Sequence, residues 1–377
     1  MPIRSDWRLQ REGFTADTLG RILKRTVLNP VLTLPLVLLA RYSQRGRHLA
    51  SYHETIYKRL RSVLVLGLFL HVSDALDRLV VNNWTSDKYD WSKEIVVVTG
   101  GSDGIGKIIV QLLAERGIKV AVLDIQPLTY EAPPTVSFFS CDLTSPTAIN
   151  KSANLIRTTL GSPTILINNA GLTRSKPLLS LTPTDLRLTF GVNTLSHYHL
   201  AQQFLPYMIQ SNHGMVVTIA STAAYLTAPH MVDYAASKAG ALAFHEGLAA
   251  ELYDVYHAPR VRTVLVAQGY TKTKLFEGFD PGDGFVTYAL EPATVAEAVV
   301  RKVLSGKGGY VWLPEQSAKL LCVPVRGWPV WMQMGFRKGL GGLMKGFRGR
   351  AVVQPSEVGE EGGEGKEKVL GESVASI

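Results

Sequence analysis

The sequence predicts an α/β fold, a doubly wound parallel sheet, preceded by an N-terminal helical region that associates with membranes. Two observations predict the sheet. Seven short apolar runs rich in β-branched residues lie between residues 94 and 315. Helix-length segments separate these runs, as right-handed crossovers between parallel strands require. A third observation predicts the N-terminal region, because two apolar stretches lie among basic residues before residue 90.

The composition allows a large core and indicates the kind of partner. Of the 377 residues, 46% are hydrophobic and 19% charged, which excludes a globally disordered chain. Residues 1–60 contain eleven Lys and Arg against four Asp and Glu, so they carry most of the net charge of +9. These cations flank apolar segments and do not form an aromatic-lined groove. We therefore expect a membrane or lipid-droplet surface as a partner, and no nucleic acid.

The chain divides into four parts by composition. Residues 1–90 are expected to form the helical membrane-associating region, and residues 91–315 the domain that contains the sheet. The motifs described below predict that residues 91–315 are a dinucleotide-binding catalytic domain. Residues 316–350 form a basic and aromatic segment that we expect close to the membrane. Residues 351–377 contain six Glu against two Lys and few apolar residues, which predicts a disordered acidic tail.

Two apolar stretches predict how the N-terminal region meets the membrane. Val27–Ala40 contains two prolines, which favour a kinked or re-entrant shape, and Ser62–Val72 continues into the amphipathic sequence DALDRLV. Both are shorter than the roughly 20 residues of a simple transmembrane helix. We expect a hairpin-like or interfacial anchor, with a pair of spans as the alternative.

The seven apolar runs are the predicted strands. Strands that are buried on both faces lose the alternation of polar and apolar residues and become continuous apolar runs. In chain order the runs are EIVVVTG, KVAVLDI, TVSFFSC, TILINNAG, MVVTIAS, VRTVLVAQG and GYVWLP.

A glycine-rich loop follows the first predicted strand. The segment from Thr99 to Gly106 reads TGGSDGIG, and we predict a helix from near Lys107. Glycines permit a tight turn, and the N-terminus of the helix offers free N–H groups to a pyrophosphate. A plain turn would look the same in isolation, but the position between strand and helix predicts a Rossmann-type dinucleotide site.

The second predicted strand ends at an acidic residue that bears on the choice of cofactor. Asp124 lies 18 residues after Gly106. A carboxylate there can accept hydrogen bonds from the ribose hydroxyls of the adenosine half and would repel a 2′-phosphate. We therefore expect NAD(H) to be favoured over NADP(H). A solvated strand-end carboxylate is the alternative interpretation.

Four residues predict the catalytic chemistry. Tyr234 and Lys238 are four apart in a strongly helical stretch and so share one helix face. A neighbouring ammonium favours the phenolate, so we expect Lys238 to lower the pKa of Tyr234, which can then exchange a proton with a substrate oxygen. Ser221 ends a predicted strand and can polarise the same oxygen. Asn193 is polar within an apolar helix face, and holding a water near Lys238 would satisfy it.

Together these motifs resemble the short-chain dehydrogenase/reductase family over about residues 92–315. The loop matches the family's TGxxxGxG, Cys141-Asp142-Leu143 its adenine-contacting segment, Asn168–Gly171 its NNAG, and the four catalytic candidates its tetrad. The family usually has Pro-Gly where this chain has Gln268-Gly269. The resemblance implies cofactor contacts from Thr99, Gly100, Ser102, Asp103, Gly104, Ile105, Gly106, Asp124, Asp142, Leu143, Asn169, Ala170, Gly171, Tyr234, Lys238, Gly269, Thr271 and Thr273.

Within the family, the chain looks most similar to membrane- and lipid-droplet-associated hydroxysteroid and retinol dehydrogenases. The resemblance rests on the segments VNTLSHYHLAQQFLPYMIQSNHGMVVTIAS and YAASKAGALAFHEGL. It implies an oxidoreductase of lipophilic alcohols or ketones on the endoplasmic reticulum membrane or on lipid droplets, with the catalytic domain in the cytosol. A homodimer is a possible assembly. Two alternatives stay open: an NADP(H)-dependent reductase of 3-oxo lipids, and a non-catalytic, membrane-docked scaffold that binds the cofactor.

Specificity for the substrate is expected in the segment from Lys274 to Leu290, which contains Phe276, Phe279, Phe285 and Tyr288. These aromatic residues suit an apolar ligand, although packing within a lid would give the same composition. The helical histidines have no cysteine or carboxylate cluster beside them, so we expect no metal site. We interpret them as interface or surface residues: His197, His199 and His245.

Overall fold

Seven parallel strands form the central sheet of the protein. The computed structural model describes residues 3–5, 8–279, 284–343 and 346–348. The predicted acidic tail, residues 351–377, lies outside these residues. All seven predicted strands are present: β1 Ile95–Thr99, β2 Lys119–Asp124, β3 Val136–Ser140, β4 Ile165–Asn168, β5 Gly214–Ile219, β6 Val261–Gln268 and β7 Gly309–Leu313.

The strand order creates a crevice at the carboxyl edge of the sheet. The order is β3-β2-β1-β4-β5-β6-β7, with β1 hydrogen-bonded to both β2 and β4. The chain winds in opposite directions from β1 and from β4, so the loops that follow these two strands diverge. Ligands of doubly wound sheets bind at such a reversal point. The prediction of a doubly wound parallel sheet is confirmed.

Helices cover both faces of the sheet and explain why its strands are apolar throughout. Val96 and Val98 of β1 point into one core, and Val97 points into the other. The first core is completed by α5 and α10, and the second by α6, α8 and α9. The helices of this region are α5 Gly104–Ala114, α6 Pro146–Thr159, α7 Pro183–Phe190, α8 Ser196–Ser211, α9 Val232–Asp254 and α10 Pro292–Leu304.

Helix α5 begins at Gly104, three residues before the predicted start. The carboxylate of Asp103 accepts a hydrogen bond from the Gly104 N–H at 2.8 Å and caps the helix. A side-chain acceptor at this position satisfies one of the free N–H groups of the first turn. The last two glycines of the loop therefore belong to the helix itself.

The predicted N-terminal helical region is confirmed, and in the part of the chain that the structure describes it contains four helices: α1 Ala16–Arg25, α2 Pro30–Tyr42, α3 Gln44–Tyr52 and α4 Glu54–Val80. Pro30 occupies the first turn of α2, where a proline costs no hydrogen bond. Helices α2 and α4 pack together but expose much apolar surface, including Val31 (76% exposed), Leu39 (61%) and Phe69 (69%). Among the described residues no single helix has both the length and the hydropathy of a membrane span, whereas α1 and α2 together, bent by 46°, meet those criteria.

The segment between α4 and β1 fastens the N-terminal helices to the amino edge of the sheet. Arg262 donates to the carbonyls of Asn82 and Thr85 at 2.8 and 2.9 Å. The ring of His213 lies between two carboxylates, with Nδ1 2.7 Å from Asp87 and Nε2 3.2 Å from Glu94. The Glu94 and Asp87 contacts outweigh burial and raise the pKa of His213 to about 8. A charged histidine therefore joins the two regions.

The chain after β7 folds back over the carboxyl edge of the sheet. It contains the single turn α11 Glu315–Ser317 and the helix α12 Val330–Gly339. Ala318 and Val325 are fully buried, so this segment belongs in part to the core. Trp331 of α12 is 76% exposed. Lys345 and Arg350, two of the cations expected here, lie outside the described residues.

Candidate active site

A cavity of about 440 Å³ opens at the crevice. Its lining comes from the loops that follow β1 to β6, from residues 270–288, and from the chain after β7. Most of the predicted site residues line it: Gly100, Asp103, Gly104, Ile105, Gly106, Asp124, Asp142, Leu143, Asn169, Ala170, Gly171, Ser221, Tyr234, Lys238, Gly269, Thr271 and Thr273. Three others, Thr99, Ser102 and Asn193, do not line it.

The glycine-rich loop has the form that a dinucleotide requires. Gly104 has a φ of +59°, which favours glycine. A Cβ on Gly106 would lie 2.0 Å from the carbonyl oxygen of Gly100. At Gly100 a Cβ would lie 2.9 Å from the Cα of Ala170. The loop and the start of α5 are thus packed too closely for side chains, and this brings backbone N–H groups to the cavity.

Thr99 and Asn169 hold this loop against the one that follows β4. The Thr99 hydroxyl oxygen accepts hydrogen bonds from the N–H groups of Asn169 and Ala170, at 2.9 and 3.0 Å. The Asn169 side chain donates to the carbonyls of Thr99 and Gly100, at 2.9 and 3.1 Å. Thr99 therefore acts behind the cavity wall, where it fixes the position of both loops.

Two carboxylates lie at the end of the cavity formed by β2 and β3. Asp124 accepts hydrogen bonds from the N–H groups of Ser102 (3.0 Å) and Gln126 (3.1 Å). Asp142 accepts from the N–H and the hydroxyl of Thr144. Ser102 thus contributes through Asp124, and each carboxylate is fixed in place at the cavity wall. Of the described residues that line the cavity, the basic ones are Lys238 and Lys274.

The candidate catalytic side chains meet between β5 and α9. Ser221 donates to the Gln268 carbonyl at 3.2 Å and accepts from the Ala223 N–H at 3.1 Å. Lys238 donates to the Ile219 carbonyl at 2.8 Å, and its Nζ lies 5.9 Å from the centre of the Tyr234 ring. Tyr234 and Lys238 are each 3% exposed. The helical spacing therefore places phenol and ammonium on one face of α9, and the phenol meets the strand-end serine, Ser221.

The pKa values of this pair differ from the expectation. Burial raises the pKa of Tyr234 to about 12, and the Ser221 hydroxyl acts in the opposite direction. Burial also lowers the pKa of Lys238 to about 8. The expected lowering by the lysine is therefore wrong for this geometry. The physical reason is that burial disfavours the charged phenolate, and the cause that opposes burial is the hydrogen bond with Ser221.

Asn193 lies in a widened helical turn, Gly191–Leu195, between α7 and α8. It is fully buried, and its side chain bonds the backbone N–H and carbonyl of Leu172 and the hydroxyl of Ser237, at 2.8–2.9 Å. Protein groups thus satisfy the amide. A Cβ on Gly171 would be 3.4 Å from both Asn193 Oδ1 and Lys238 Nζ, so the two side chains adjoin the same glycine. A role of Asn193 in holding a water stays a prediction.

The other end of the cavity is apolar, and sequence reasoning missed most of it. We call this end the apolar chamber; it is the cluster of Ala228, Met231, Phe276, Phe279, Leu340 and Leu343, which packs around Tyr234. The Tyr234 and Phe276 rings meet edge to face at 5.6 Å. Leu340 and Leu343 come from the chain after α12, a segment that the sequence assigns to a membrane-proximal surface.

The specificity segment behaves only partly as predicted. Phe276, Phe279 and Tyr288 line the cavity. Phe285 does not; it is 47% exposed and its ring centre lies 6.1 Å from that of Phe14. Residues 280–283 lie outside the described part of the chain.

Two of the three histidines are buried, which corrects the expectation of a surface or interface role. His197 is 1% exposed and His245 is 3% exposed. Burial lowers their pKa values to about 3 and about 4, so both are neutral. Each stacks edge-on against an aromatic ring, Phe244 for His197 and Tyr310 for His245. An amphipathic helix pattern alone could not distinguish such residues from exposed ones.

Known proteins resemble this chain in both sequence and structure. The family model described as short chain dehydrogenase matches residues 94–283. "Dehydrogenase RED2" of Cochliobolus heterostrophus is 46% identical over 208 residues, which are 54% of this chain and 78% of that protein. "Epidermal retinol dehydrogenase 2" of Homo sapiens is 30% identical, over 59% of this chain and 74% of that protein. The structure of a short chain dehydrogenase from Burkholderia cenocepacia in complex with NADP is 26% identical, with a TM-score of 0.55, over 66% of this chain and 98% of that one.

Proposed function

This chain belongs to the short-chain dehydrogenase family, and from that premise we propose that it transfers a hydride between NAD(H) and a lipophilic alcohol or ketone. Family membership makes it an NAD(P)-dependent oxidoreductase with the character of a hydroxysteroid or retinol dehydrogenase. The observation that carries the proposed substrate class is the apolar chamber packed around Tyr234. A steroid, a retinoid or another lipid would fit its chemistry.

The residues around the crevice fit a dinucleotide. The loop from Gly100 to Gly106 would hold the pyrophosphate, because its glycines allow backbone N–H groups to approach closely. Asp124 would hold the adenosine ribose and Asp142 would adjoin the adenine. The preference for NAD(H) is supported by these two carboxylates, since a 2′-phosphate near them would meet negative charge. When bound, the nicotinamide would accept or supply the hydride.

Tyr234 is the proposed acid/base. In oxidation it takes the hydroxyl proton of the alcohol, and in reduction it returns a proton to the carbonyl oxygen. Ser221 would donate a hydrogen bond to the same oxygen and polarise it. The bond of Lys238 to the Ile219 carbonyl fixes its Nζ beside the ring, where the ammonium form would stabilise the phenolate that develops during oxidation. Asn193 would keep the loop after β4 in register with α9, through Leu172 and Ser237.

We also propose a membrane location, on the endoplasmic reticulum or on lipid droplets, with the catalytic domain in the cytosol. Support comes from the exposed apolar side chains of α2 and α4 and from the basic residues that flank them. Val330 and Trp331 of α12 are 73% and 76% exposed, close in the chain to the residues that close the apolar chamber. Lipid contact at α12 would place dissolved substrate beside the chamber. A homodimer stays a prediction.

A substrate panel tests the proposal. The purified full-length protein would be assayed with NAD and NADP against steroids, retinoids, long-chain alcohols and short water-soluble alcohols. We expect NAD-dependent turnover of at least one lipophilic class and little turnover of the short alcohols. Preference for NADP with 3-oxo lipids would support the reductase alternative instead. Binding of NADH without turnover of any alcohol or ketone would support a scaffold.

A further inference from the structure

The buried side chain of Asp17 lies 77 positions before residue 94, where the family match begins. It lies in the first turn of α1 and is 4% exposed. Its Oδ2 accepts hydrogen bonds from the Tyr288 hydroxyl at 2.9 Å and from the Glu315 N–H at 2.7 Å. Its Oδ1 accepts from the Gln316 N–H at 2.8 Å. A single carboxylate therefore joins three groups from two separate segments near the C-terminal part of the chain.

Other contacts hold the same N-terminal segment in place. Arg11 forms a two-pronged ion pair with Glu297 of α10, at 2.6 and 3.0 Å. The Glu12 carboxylate accepts from the Glu291 N–H at 2.9 Å. Ala16 N–H donates to the Phe285 carbonyl at 2.9 Å. Paired Arg–carboxylate bonds have a fixed geometry, so they orient the segment as well as hold it.

The groups that Asp17 joins lie in the cavity wall or next to residues that form it. Tyr288, Pro314 and Ser317 all line the cavity, and Glu315 and Gln316 lie between the last two. Helix α1 is pressed against this turn, because a Cβ on Gly20 would lie 2.5 Å from the side-chain nitrogen of Gln316. The two wall segments, residues 284–290 and 314–317, thus share one buried carboxylate as their common support.

We propose that Asp17 is a positioning residue for the substrate wall, so that the N-terminal segment helps to set which lipophilic substrates the enzyme accepts. The inference rests on the proposed function, since it concerns residues that line the same cavity. Asp17 touches neither the catalytic side chains nor the glycine-rich loop. Its loss should therefore change substrate binding while the chemical step and cofactor binding are kept.

Asp17→Asn is the sharpest variant. The amide keeps the size of the side chain, but it replaces one carboxylate oxygen, an acceptor, with an NH₂ group, which can only donate. Because the three partners all donate to Asp17, at least one of the three hydrogen bonds is lost. We expect KM for the best lipophilic substrate to rise about tenfold, the equivalent of about 1.4 kcal/mol. We expect kcat to change by less than about twofold and the Kd of NADH to stay unchanged. Asp74→Asn on α4 is the matched control, because Asp74 is half exposed and its ion-pair contact is with Lys24, at 3.9 Å.

Hydrogen–deuterium exchange provides a readout that needs no substrate. In Asp17→Asn, peptides that cover residues 284–290 and 314–317 should exchange faster, while peptides of the glycine-rich loop should not change. If Asp17→Asn fails to fold, Tyr288→Phe removes one donor of the same network and takes its place in the exchange measurement. Unchanged KM and unchanged exchange would overturn the inference. An inactive wild-type protein whose Asp17→Asn variant still shows faster exchange would contradict the proposed function and leave the support role standing.

Discussion

At the scale of single residues, burial controls the chemistry of the site. Tyr234 and Lys238 are both almost fully enclosed, and enclosure disfavours the charged form of each. Tyr234 is therefore protonated, and Lys238 loses its proton more easily than an exposed lysine. In this state Tyr234 can donate a proton to a carbonyl oxygen, as reduction requires. Alcohol oxidation needs the opposite form, and its rate should increase with pH because the phenolate fraction does.

The first prediction concerns the phenol itself. Tyr234→Phe keeps the ring that packs against Phe276 but removes the proton that the reaction exchanges. Turnover should fall by about 10²–10⁴-fold, the usual effect of removing a positioned acid/base. NADH binding, followed by fluorescence, should be nearly unchanged. Tyr253→Phe on the same helix is the control, because Tyr253 is 55% exposed. Near wild-type kcat in Tyr234→Phe would remove this residue from the mechanism.

The second prediction concerns cofactor choice. Asp124→Ser combined with Gln126→Arg removes a carboxylate and adds a cation at the same end of the cavity. The ratio of kcat/KM for NAD to that for NADP should fall by at least tenfold, because the 2′-phosphate no longer meets negative charge. Asp124 also holds the Ser102 N–H, so both cofactors should bind more weakly, and the ratio is the informative quantity. Wild-type protein that prefers NADP would contradict the interpretation of Asp124.

At the scale of elements, the segment between α4 and β1 is attached to the sheet by contacts that include an ion pair of His213, so this attachment depends on charge. His213 has a folded-state pKa of about 8, above the ordinary value of 6.5, because the Glu94 and Asp87 carboxylates hold its proton. A group whose pKa is raised on folding stabilises the folded state fully below its unfolded pKa. That contribution is lost as the pH rises through the folded value. The relevant window therefore runs from about pH 6.5 to about pH 8.

The third prediction concerns this ion pair of His213. The free energy of unfolding of wild-type protein and of His213→Gln would be measured by urea denaturation at pH 6 and at pH 9. The free energy of unfolding should be larger for the wild type than for the variant, and this difference should be about 1 kcal/mol greater at pH 6 than at pH 9. The value allows for partial solvent screening. Using the difference between the two proteins cancels the titration of other groups. A difference that is equal at the two pH values would show that the histidine is not charged in this contact.

Helix α12 has two unlike faces. Phe336 lines the cavity on its inner side, whereas Val330 and Trp331 are among the most exposed apolar residues of the described chain. The rings of Trp328 and Phe336 meet edge to face with their centres 6.1 Å apart, a contact that holds the start of the helix in place. Apolar contacts hold much of the segment that follows α12, since its Leu340 and Leu343 belong to the apolar chamber around Tyr234. Helix α12 thus forms part of the cavity wall on its inner side, and its outer side is the surface that we propose for lipid contact.

At the scale of the whole molecule, local patterns in the sequence predict the sheet and the cofactor end of the site. The strands are recognisable because both of their faces are buried, and the loop from Thr99 to Gly106 because close packing requires glycine. Tyr234, Lys238 and Ser221 are recognisable because their spacing follows from one helix and one strand end. Each of these signals lies within a segment of at most 18 residues.

The substrate end could not be predicted in this way, because it is assembled from distant parts of the chain. Leu340 and Leu343 are ordinary apolar residues in a basic segment, and only the fold brings them to Tyr234. Asp17 and Tyr288 are 271 positions apart, and no periodicity links them. The division at residue 90 into an anchor and a catalytic domain stays a prediction. The contacts of Arg11 and Asp17 show that the first helix and the residues just before it are bonded to the catalytic part.

The fourth prediction concerns the membrane, and the contacts of Asp17 determine how it must be tested. Deleting the residues before Asp87 would remove the support of the substrate wall together with any anchor. Replacing exposed side chains avoids this. Val31→Ser, Leu39→Ser and Phe69→Ser together should reduce flotation of the full-length protein with phospholipid vesicles by more than tenfold, because each apolar side chain contributes about 1.5–3 kcal/mol when buried.

A second triple variant controls for general loss of surface hydrophobicity. Leu179→Ser, Tyr253→Ser and Val255→Ser change residues of the catalytic part that are 100%, 55% and 62% exposed. This variant should float as the wild type does. Equal loss in both variants, or release of the wild-type protein by high salt alone, would contradict an anchor formed by α2 and α4. The bent pair of α1 and α2 can cross a membrane only if Asp17 gives up its three partners.

The support given by Asp17 also sets an order of events during synthesis. Its partner at Gln316 follows it by 299 positions. At about 5–20 residues per second a ribosome needs about 15–60 s to make that length. Helices α1 to α4 therefore leave the ribosome long before the groups that will hold α1 exist. For that interval the apolar faces of these helices cannot pack on the catalytic part. If the proposed membrane location is correct, a bilayer would bind these faces first, before the substrate wall has formed.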